Sequence, residues 1–171
     1  LKTAKKYPIS LCAINFRVDD NLGYLIRSAA CFGAERLYVV GHVPERSHIK
    51  ASSGSLIDYV EITSFATPQD FLDHTKSEGI QIVAAELVEQ ARSLASYTFN
   101  FDSHICLVVG NEESGVPTEI VRSSHVVYIG MPGVGYCLNT AQTGNILLYE
   151  AVKQYNQYRV NRSKLNLVIG N

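Results

Sequence analysis

The sequence lacks a strong charge of either sign. Its 171 residues carry 15 Lys and Arg against 16 Asp and Glu, so the formal net charge at pH 7 is −1. Because the chain as a whole produces no attractive field for a polyanion, a histone-like or wholly electrostatic nucleic-acid binder is disfavoured. Any polyanionic partner must therefore be held by a local group of cations.

Paired cysteines and zinc motifs are also missing. The four cysteines stand singly, with neither a Cys-x-x-Cys pair nor a Cys/His spacing suited to zinc: Cys12, Cys31, Cys106 and Cys137. We therefore expect no metal site. We also expect these residues to be reduced thiols of a cytoplasmic protein.

Long apolar runs are absent as well. No stretch approaches the roughly 20 apolar residues of a membrane span, and the opening LKTAKKYPIS has no hydrophobic signal core. These absences predict a soluble protein with no membrane partner. The 46% of hydrophobic residues suits a single domain over residues 1–171, with its core at about 9–158.

Short apolar runs alternate with helical patterns along the chain. Strands are predicted at 9–16, 36–41, 59–65, 80–87, 104–110 and 125–131. Helices are predicted from an N-cap at Asn21 to Gly33, near 53–59, from Pro68 to Gly79, over 117–124 and over 139–158. This alternation predicts an α/β fold with a mostly parallel sheet and helices on both faces. Ligands of such sheets bind beyond the carboxyl ends of the strands.

The first polar segment at a strand end contains Asn21, Gly23 and Arg27. Gly23 and Arg27 are four residues apart and share a helix face, away from the apolar stripe that begins at Leu22. A bulky partner could approach the backbone at the glycine while the guanidinium meets a phosphate or a ribose. The alternative is a solvated arginine beside a tolerated glycine.

The second segment, 108–117, places Gly110 and Gly115 around Glu112 directly after a buried strand. Such a loop can bring backbone polar groups close to a ligand, with a carboxylate to orient it. It lacks the lysine of a phosphate-binding loop and does not match the dinucleotide-binding glycine pattern. The alternative is an ordinary turn before the helix that begins near Pro117.

The third segment begins at Ile129, passes through Asn139 and continues into the helical stretch that ends at Glu150. Its glycines allow sharp turns, and Cys137, Leu138 and Asn139 would present main-chain polar groups at a helix N-terminus. An uncharged or zwitterionic small molecule suits such a site. The alternative is a helix cap and a core cysteine.

In this order, the three segments resemble the three motifs of the SpoU (TrmH) family of SPOUT RNA methyltransferases. The first motif, Asn-x-Gly-x-x-x-Arg-x-Ala, is similar to the segment from Asn21 to Ala29, and the second, Gly-x-Glu-x-x-Gly, to the segment from Gly110 to Gly115. The third motif is matched by Ile129, Met131, Gly133, Leu138 and Asn139, followed by a long helix. The resemblance spans about 9–158.

This resemblance implies several properties that composition does not. They are a deep C-terminal trefoil knot, which is rare among folds, S-adenosylmethionine bound in the knot loops with S-adenosylhomocysteine as product, and a homodimer with a shared active site. The implied reaction is methyl transfer to a ribose 2′-hydroxyl of tRNA or rRNA. The implied catalytic residues are Arg27, Asn21, Glu112 and Asn139. The implied cofactor-binding residues are Ala85, Gly110, Ile129, Met131, Cys137 and Leu138.

The third motif departs from the family pattern at four positions: Gly130 replaces Pro, Cys137 and Ala141 replace Ser, and Thr143 replaces Ala. A catalytically weak or inactive RNA-binding protein that retains the SPOUT fold is therefore the alternative to the enzyme. A Rossmann-type nucleotide binder lacks its glycine fingerprint and is the least favoured interpretation.

Two further expectations concern partners. The final helix carries Ile146 and Tyr149 off its core stripe, which leaves apolar surface for a second copy of the chain. The cations available to contact RNA are Lys2, Lys5, Lys6, Arg17, Arg27, Arg46, Lys50, Arg159, Arg162 and Lys164.

Overall fold

The computed structural model describes residues 5–169, so Lys2 lies outside the described residues. The strands are β1 (Ile9–Ile14), β2 (Arg36–Val40), β3 (Glu61–Phe65), β4 (Gln81–Ala85), β5 (Arg92–Ser93), β6 (Ile105–Val109) and β7 (His125–Tyr128). The helices are α1 (Asp19–Phe32), α2 (Arg46–Ile49), α3 (Pro68–Ser77), α4 (Thr118–Arg122) and α5 (Thr140–Ile169). None of these helices has the length and apolar character needed to cross a bilayer.

The seven strands form one parallel sheet in the order β3-β2-β1-β6-β4-β7-β5. Side chains alternate between its faces, so Leu11 of β1 packs in one core layer and Cys12 in the other. Helices α1 and α5 cover the first face, whereas α3 and α4 cover the second. The predicted α/β fold, with a parallel sheet between two helical layers, is confirmed.

Helix α1 ends as predicted and begins earlier than predicted. Gly33 follows it with a φ of 72°, the left-handed conformation that suits glycine at a helix end. The helix begins at Asp19, and Val18 rather than Asn21 occupies the N-cap position. The prediction of Asn21 as the N-cap is wrong because its side chain points inward and is only 3% exposed.

Other element boundaries also differ from the pattern. The long loop after β2 forms α2 and a short 3₁₀ turn at Ile57–Tyr59 instead of a helix over 53–59. Strand β7 ends at Tyr128, three residues earlier than predicted, and β5 was not predicted because a two-residue strand leaves no periodic signal.

The segment between β4 and β6 passes around the outside of β7. It leaves the carboxyl end of β4, pairs as β5 with the outer edge of β7, and returns to the start of β6. The chain reaches β7 from α4 on one face of the sheet and leaves it for α5 on the other. Strand β7 is therefore enclosed by segment 86–104, and the trefoil knot itself stays a prediction.

The turn after β6 depends on a close approach between two stretches of backbone. Asn111 and Gly115 exchange two backbone hydrogen bonds of 3.0 Å, and Gly115 has a φ of 71°. A Cβ atom on Gly110 would collide with the backbone of Gly115 and Val116. This position therefore admits no side chain unless the turn moves.

We predict that Gly110→Ala lowers the free energy of unfolding by about 1–3 kcal/mol, as expected for overpacking. The control is Gly133→Ala, because a Cβ there would meet no atom within 4 Å. That variant should change the free energy by no more than about 0.5 kcal/mol. Urea unfolding measures both values, and equal effects of the two substitutions would contradict the close approach at Gly110.

Candidate active site

The three polar segments meet through one buried amide. Asn21 donates from Nδ2 to Oε1 of Glu112 at 2.8 Å, and its Oδ1 accepts from Nδ2 of Asn139 at 2.9 Å. Asn21 lies in α1, Glu112 follows β6, and Asn139 precedes α5. Three of the four residues predicted to be catalytic are therefore joined in one hydrogen-bonded chain.

Asn139 also caps the final helix. Its Oδ1 accepts from the backbone N–H of Ala141 at 2.8 Å and of Gln142 at 3.3 Å, as an N-cap residue does. The next residue, Thr140, donates from its hydroxyl to the carbonyl oxygen of Gly110 at 2.8 Å. Capping and attachment to the second segment together account for Asn139 and Thr140.

The carboxylate of Glu112 holds the start of α1. Besides the Asn21 amide, it accepts from the backbone N–H of Arg17 at 2.9 Å and of Val18 at 3.2 Å. Partial burial acts to raise the pKa of Glu112, but these hydrogen bonds to the ionised form outweigh it and lower the pKa below its ordinary value. The ionised carboxylate of Glu112 thus holds the start of α1 by accepting hydrogen bonds from three groups of the chain.

A cleft opens beyond the carboxyl ends of the adjacent strands β6, β4 and β7. It consists of two adjoining cavities of about 130 and 510 Å³. The smaller cavity is lined by five of the residues predicted to bind cofactor, namely Ala85, Ile129, Met131, Cys137 and Leu138. The sixth, Gly110, lines the larger one. The geometry therefore brings together all six positions at the edge where parallel sheets bind ligands.

The loop between β7 and α5 forms one wall of this cleft and leaves its main chain available. The backbone N–H groups of residues 130–138 donate no hydrogen bond to any residue within 5–169. Val134 is 98% and Tyr136 90% exposed. The expected sharp turns lie in this loop, where the backbone bends at Gly133, Val134 and Tyr136, although none of its glycines has a positive φ.

Two of the four departures from the family pattern face the cleft. Cys137 and Thr143 line both cavities. Ala141 is buried in the core, and Gly130 has no atom within 4 Å of where its Cβ would be. Of the four departures, only Cys137 and Thr143 therefore change the chemical character of the cleft wall.

Glu86 belongs to the strand end, 84–86, where the family resemblance predicts the cofactor, but no role was predicted for its side chain. It follows the last residue of β4 and lines both cavities. Its Oε1 accepts from the backbone N–H of Leu87 at 2.8 Å, and its Oε2 accepts from that of Val116 at 3.0 Å. The only signal for its side chain was a single carboxylate near the end of an apolar strand, and that strand was predicted to continue to residue 87.

Arg27, the fourth residue predicted to be catalytic, lies away from the cleft of its own chain. Its side chain is exposed, packs over Gly54, and forms neither an ion pair nor a hydrogen bond with the other residues described. Gly23 is buried, and a Cβ there would collide with Ser52. The close partner expected at Gly23 is thus the chain's own loop rather than a ligand.

Several cations considered for RNA contact have partners inside the protein. Arg17 pairs with Glu113, and Arg46 pairs with Asp58 at 2.8 Å. Lys6 donates to the carbonyl oxygens of Ala34 and Tyr59. Across the described part of the chain, no group of three or more His, Cys, Asp or Glu side chains is placed to hold a metal ion.

The lowered pKa of Glu112 predicts a pH-dependent contribution to stability. A carboxyl whose pKa is lower in the folded state stabilises the fold above its unfolded pKa of about 4.3. That contribution disappears as the pH falls through the folded pKa. Glu112→Gln should therefore destabilise the protein at pH 7, and its gap from the wild type in unfolding free energy should narrow below about pH 4.

Urea titrations at several pH values measure this gap. Glu113→Gln is the matched control, because its exposed ion pair with Arg17 contributes little in water. A gap for Glu112→Gln that is independent of pH would contradict the role of the ionised carboxylate.

Comparison with known proteins agrees with this geometry. A 23S rRNA (uridine(2479)-2′-O)-methyltransferase of Streptomyces viridochromogenes is 31% identical over 140 residues, which cover 78% of this chain and 48% of that protein. A tRNA (guanosine(18)-2′-O)-methyltransferase of Aquifex aeolicus is 30% identical, covering 83% and 67%. The crystal structure of an AdoMet-bound rRNA methyltransferase from Sinorhizobium meliloti superposes with a TM-score of 0.78 at 25% identity, covering 88% and 57%. Residues 8–149 match the SpoU rRNA Methylase family, and the chain belongs to that family.

Proposed function

We propose that this chain is an S-adenosylmethionine-dependent RNA 2′-O-ribose methyltransferase that acts on tRNA or rRNA as a homodimer. The observation that carries the proposal is the joining of three distant segments through Asn21 at the border of the cleft. The relatives are named as methyltransferases of rRNA and tRNA, which supports this class of substrate. The chain spans about half the length of the 23S rRNA methyltransferase, so the identity of the RNA substrate is part of the proposal.

The cleft residues fit S-adenosylmethionine in their chemistry. Apolar side chains of Ile129, Met131 and Leu138 suit the adenine ring, and the backbone N–H groups of residues 130–138 suit its polar atoms. The larger cavity, about 510 Å³, is within the range of small-molecule sites. When bound, this cofactor supplies a methyl group on a sulfonium that is already reactive toward an oxygen nucleophile.

The protein's own part in the reaction is to align the ribose hydroxyl and to favour loss of its proton. We assign to Arg27 the binding of a phosphate and the stabilisation of the developing alkoxide, because a guanidinium remains protonated and cannot act as an ordinary base. Asn139 and Glu112 hold the segments around the cleft in register through Asn21. They are positioning residues in this proposal.

A dimer would bring Arg27 to a cleft. Arg27 shares the exposed stripe of α1 with Tyr24, which is 50% exposed. Beside it, on α5, Tyr149 is 57% exposed and packs edge-on against Phe32, and Ile146 is also exposed. This apolar surface on α1 and α5 supports an isologous interface. The guanidinium would then serve the cleft of the second copy.

We predict that Arg27→Ala lowers methyl transfer to the cognate RNA at least roughly a hundredfold in single turnover, as expected when one transition-state contact is lost. Cofactor affinity should be unchanged because Arg27 is assigned to the RNA, and the dimer should persist because exposed apolar side chains such as Tyr149 remain to form its interface. Transfer at a near wild-type rate would show that the arginine is structural. Cofactor binding by the wild type without transfer to any tRNA or rRNA would favour the RNA-binding alternative.

Mixing two inactive variants tests the shared site. Arg27→Ala keeps an intact cleft, and Leu138→Arg keeps an intact Arg27 but blocks the cleft. After subunit exchange, about a quarter of the wild-type activity should return, because half of the dimers are mixed and each has one complete site. If the mixture stays inactive although mixed dimers form, each subunit uses its own Arg27.

The interface is tested by charge. Tyr149→Glu should convert the dimer to a monomer at micromolar concentration, because a carboxylate would be buried without a partner. Light scattering measures the mass. Val168→Glu is the control, since it places the same charge on another exposed apolar residue about 28 Å further along α5. A wild-type monomer, or a dimer unaffected by Tyr149→Glu, would contradict this interface.

A further inference from the structure

The charges that line the cleft are all of one sign. Glu86 lines both cavities, and Glu112 and Glu113 line the larger one. Within residues 5–169, no Lys, Arg or His side chain lines either cavity. A cationic ligand entering the cleft therefore meets carboxylates and, among the described residues, no basic side chain on the cleft walls.

The three carboxylates are not equivalent. Glu113 is paired with Arg17, and the oxygens of Glu112 accept from three N–H donors at the start of α1. Each oxygen of Glu86 accepts a single backbone N–H, which leaves a second acceptor site on each. Glu86 has no ion-pair partner among the residues that the structure describes.

The direction of the Glu86 carboxylate is set by the backbone. Its two hydrogen bonds connect the end of β4 to the turn after β6. A Cβ on Gly115 would collide with Oε2 of Glu86, so the second motif's final glycine makes room for this carboxylate. A half-buried charge held in this way costs little reorganisation when it meets a ligand.

We propose that Glu86 is a specificity-determining residue that makes the cleft prefer the cationic methyl donor over its neutral thioether product. This inference rests on the proposed function. S-Adenosylmethionine carries one positive charge more than S-adenosylhomocysteine, at the sulfonium. In a partly desolvated cleft, an unscreened carboxylate binds a ligand with one additional positive charge more tightly than its neutral counterpart. Transfer of the methyl group removes that charge, so the attraction to Glu86 ends with the reaction and the product is released more easily.

Calorimetric titration of the dimeric protein with both ligands tests the proposal. Glu86→Gln should lower the affinity for S-adenosylmethionine about tenfold and that for S-adenosylhomocysteine less than about threefold. Sinefungin, which carries an ammonium near the position of the sulfonium, should follow the methyl donor. Glu89→Gln removes the same charge from an exposed position of the same segment that lines neither cavity, and should change no affinity.

The possible results separate this role from a structural one. An equal loss of affinity for all three ligands would mean that Glu86 only holds the turn after β6. Unchanged affinities would mean that the charge of Glu86 does not contribute to binding. Either result overturns the inference. A wild type that binds neither the donor nor the product would overturn the proposed function itself.

A second measurement, the dependence of the preference on salt, is insensitive to a partial loss of fold. Added KCl should narrow the donor-over-product preference of the wild type and leave the ratio for Glu86→Gln unchanged.

Discussion

The arrangement of the site depends on the hydrogen bonds of one buried side chain. Asn21 is embedded in α1, and its amide joins the loop after β6 to the cap of α5. Both ends of an amide are needed for this, because one partner is a carboxylate that only accepts and the other is an amide nitrogen that donates. An aspartate at this position would place a second carboxylate against Glu112, and a leucine of similar size would remove both hydrogen bonds, so either substitution would separate the three segments.

The fold was largely predictable because its signals are local. Continuous apolar strands and amphipathic helices can be recognised from about ten to fifteen neighbouring residues. The end of α1 is indicated by Gly33, because glycine readily adopts the left-handed conformation found there. The errors arose where distant parts of the chain decide the outcome. Asn21 has the side chain of an N-cap residue, but contacts from residues 112 and 139 place it inside the helix.

The site was predictable in part, for a related reason. Spacing identified the three segments and the cleft positions, since residues at the carboxyl ends of adjacent parallel strands must lie together. It did not show that Gly23 serves the packing of Ser52, or that backbone N–H groups hold the carboxylate of Glu86 at the cleft. Both depend on chain segments whose distance no periodic pattern reports. Arg27 does not line the cleft of its own chain, which the spacing of the motifs did not reveal.

The enclosure of β7 by segment 86–104 has a consequence for the order of folding. Strands β1, β2, β4 and β6 pair with one another without the last third of the chain, whereas β7 takes its place between β4 and β5 and is followed by α5. Contacts between residues 118 positions apart are late and entropically expensive. We therefore expect the hydrogen bond between Asn139 and Asn21 to form late in folding. Before this hydrogen bond forms, most of the sheet can be present, but the loops that line the cleft are not yet joined. We therefore expect ligand binding in the cleft to require a completely folded chain.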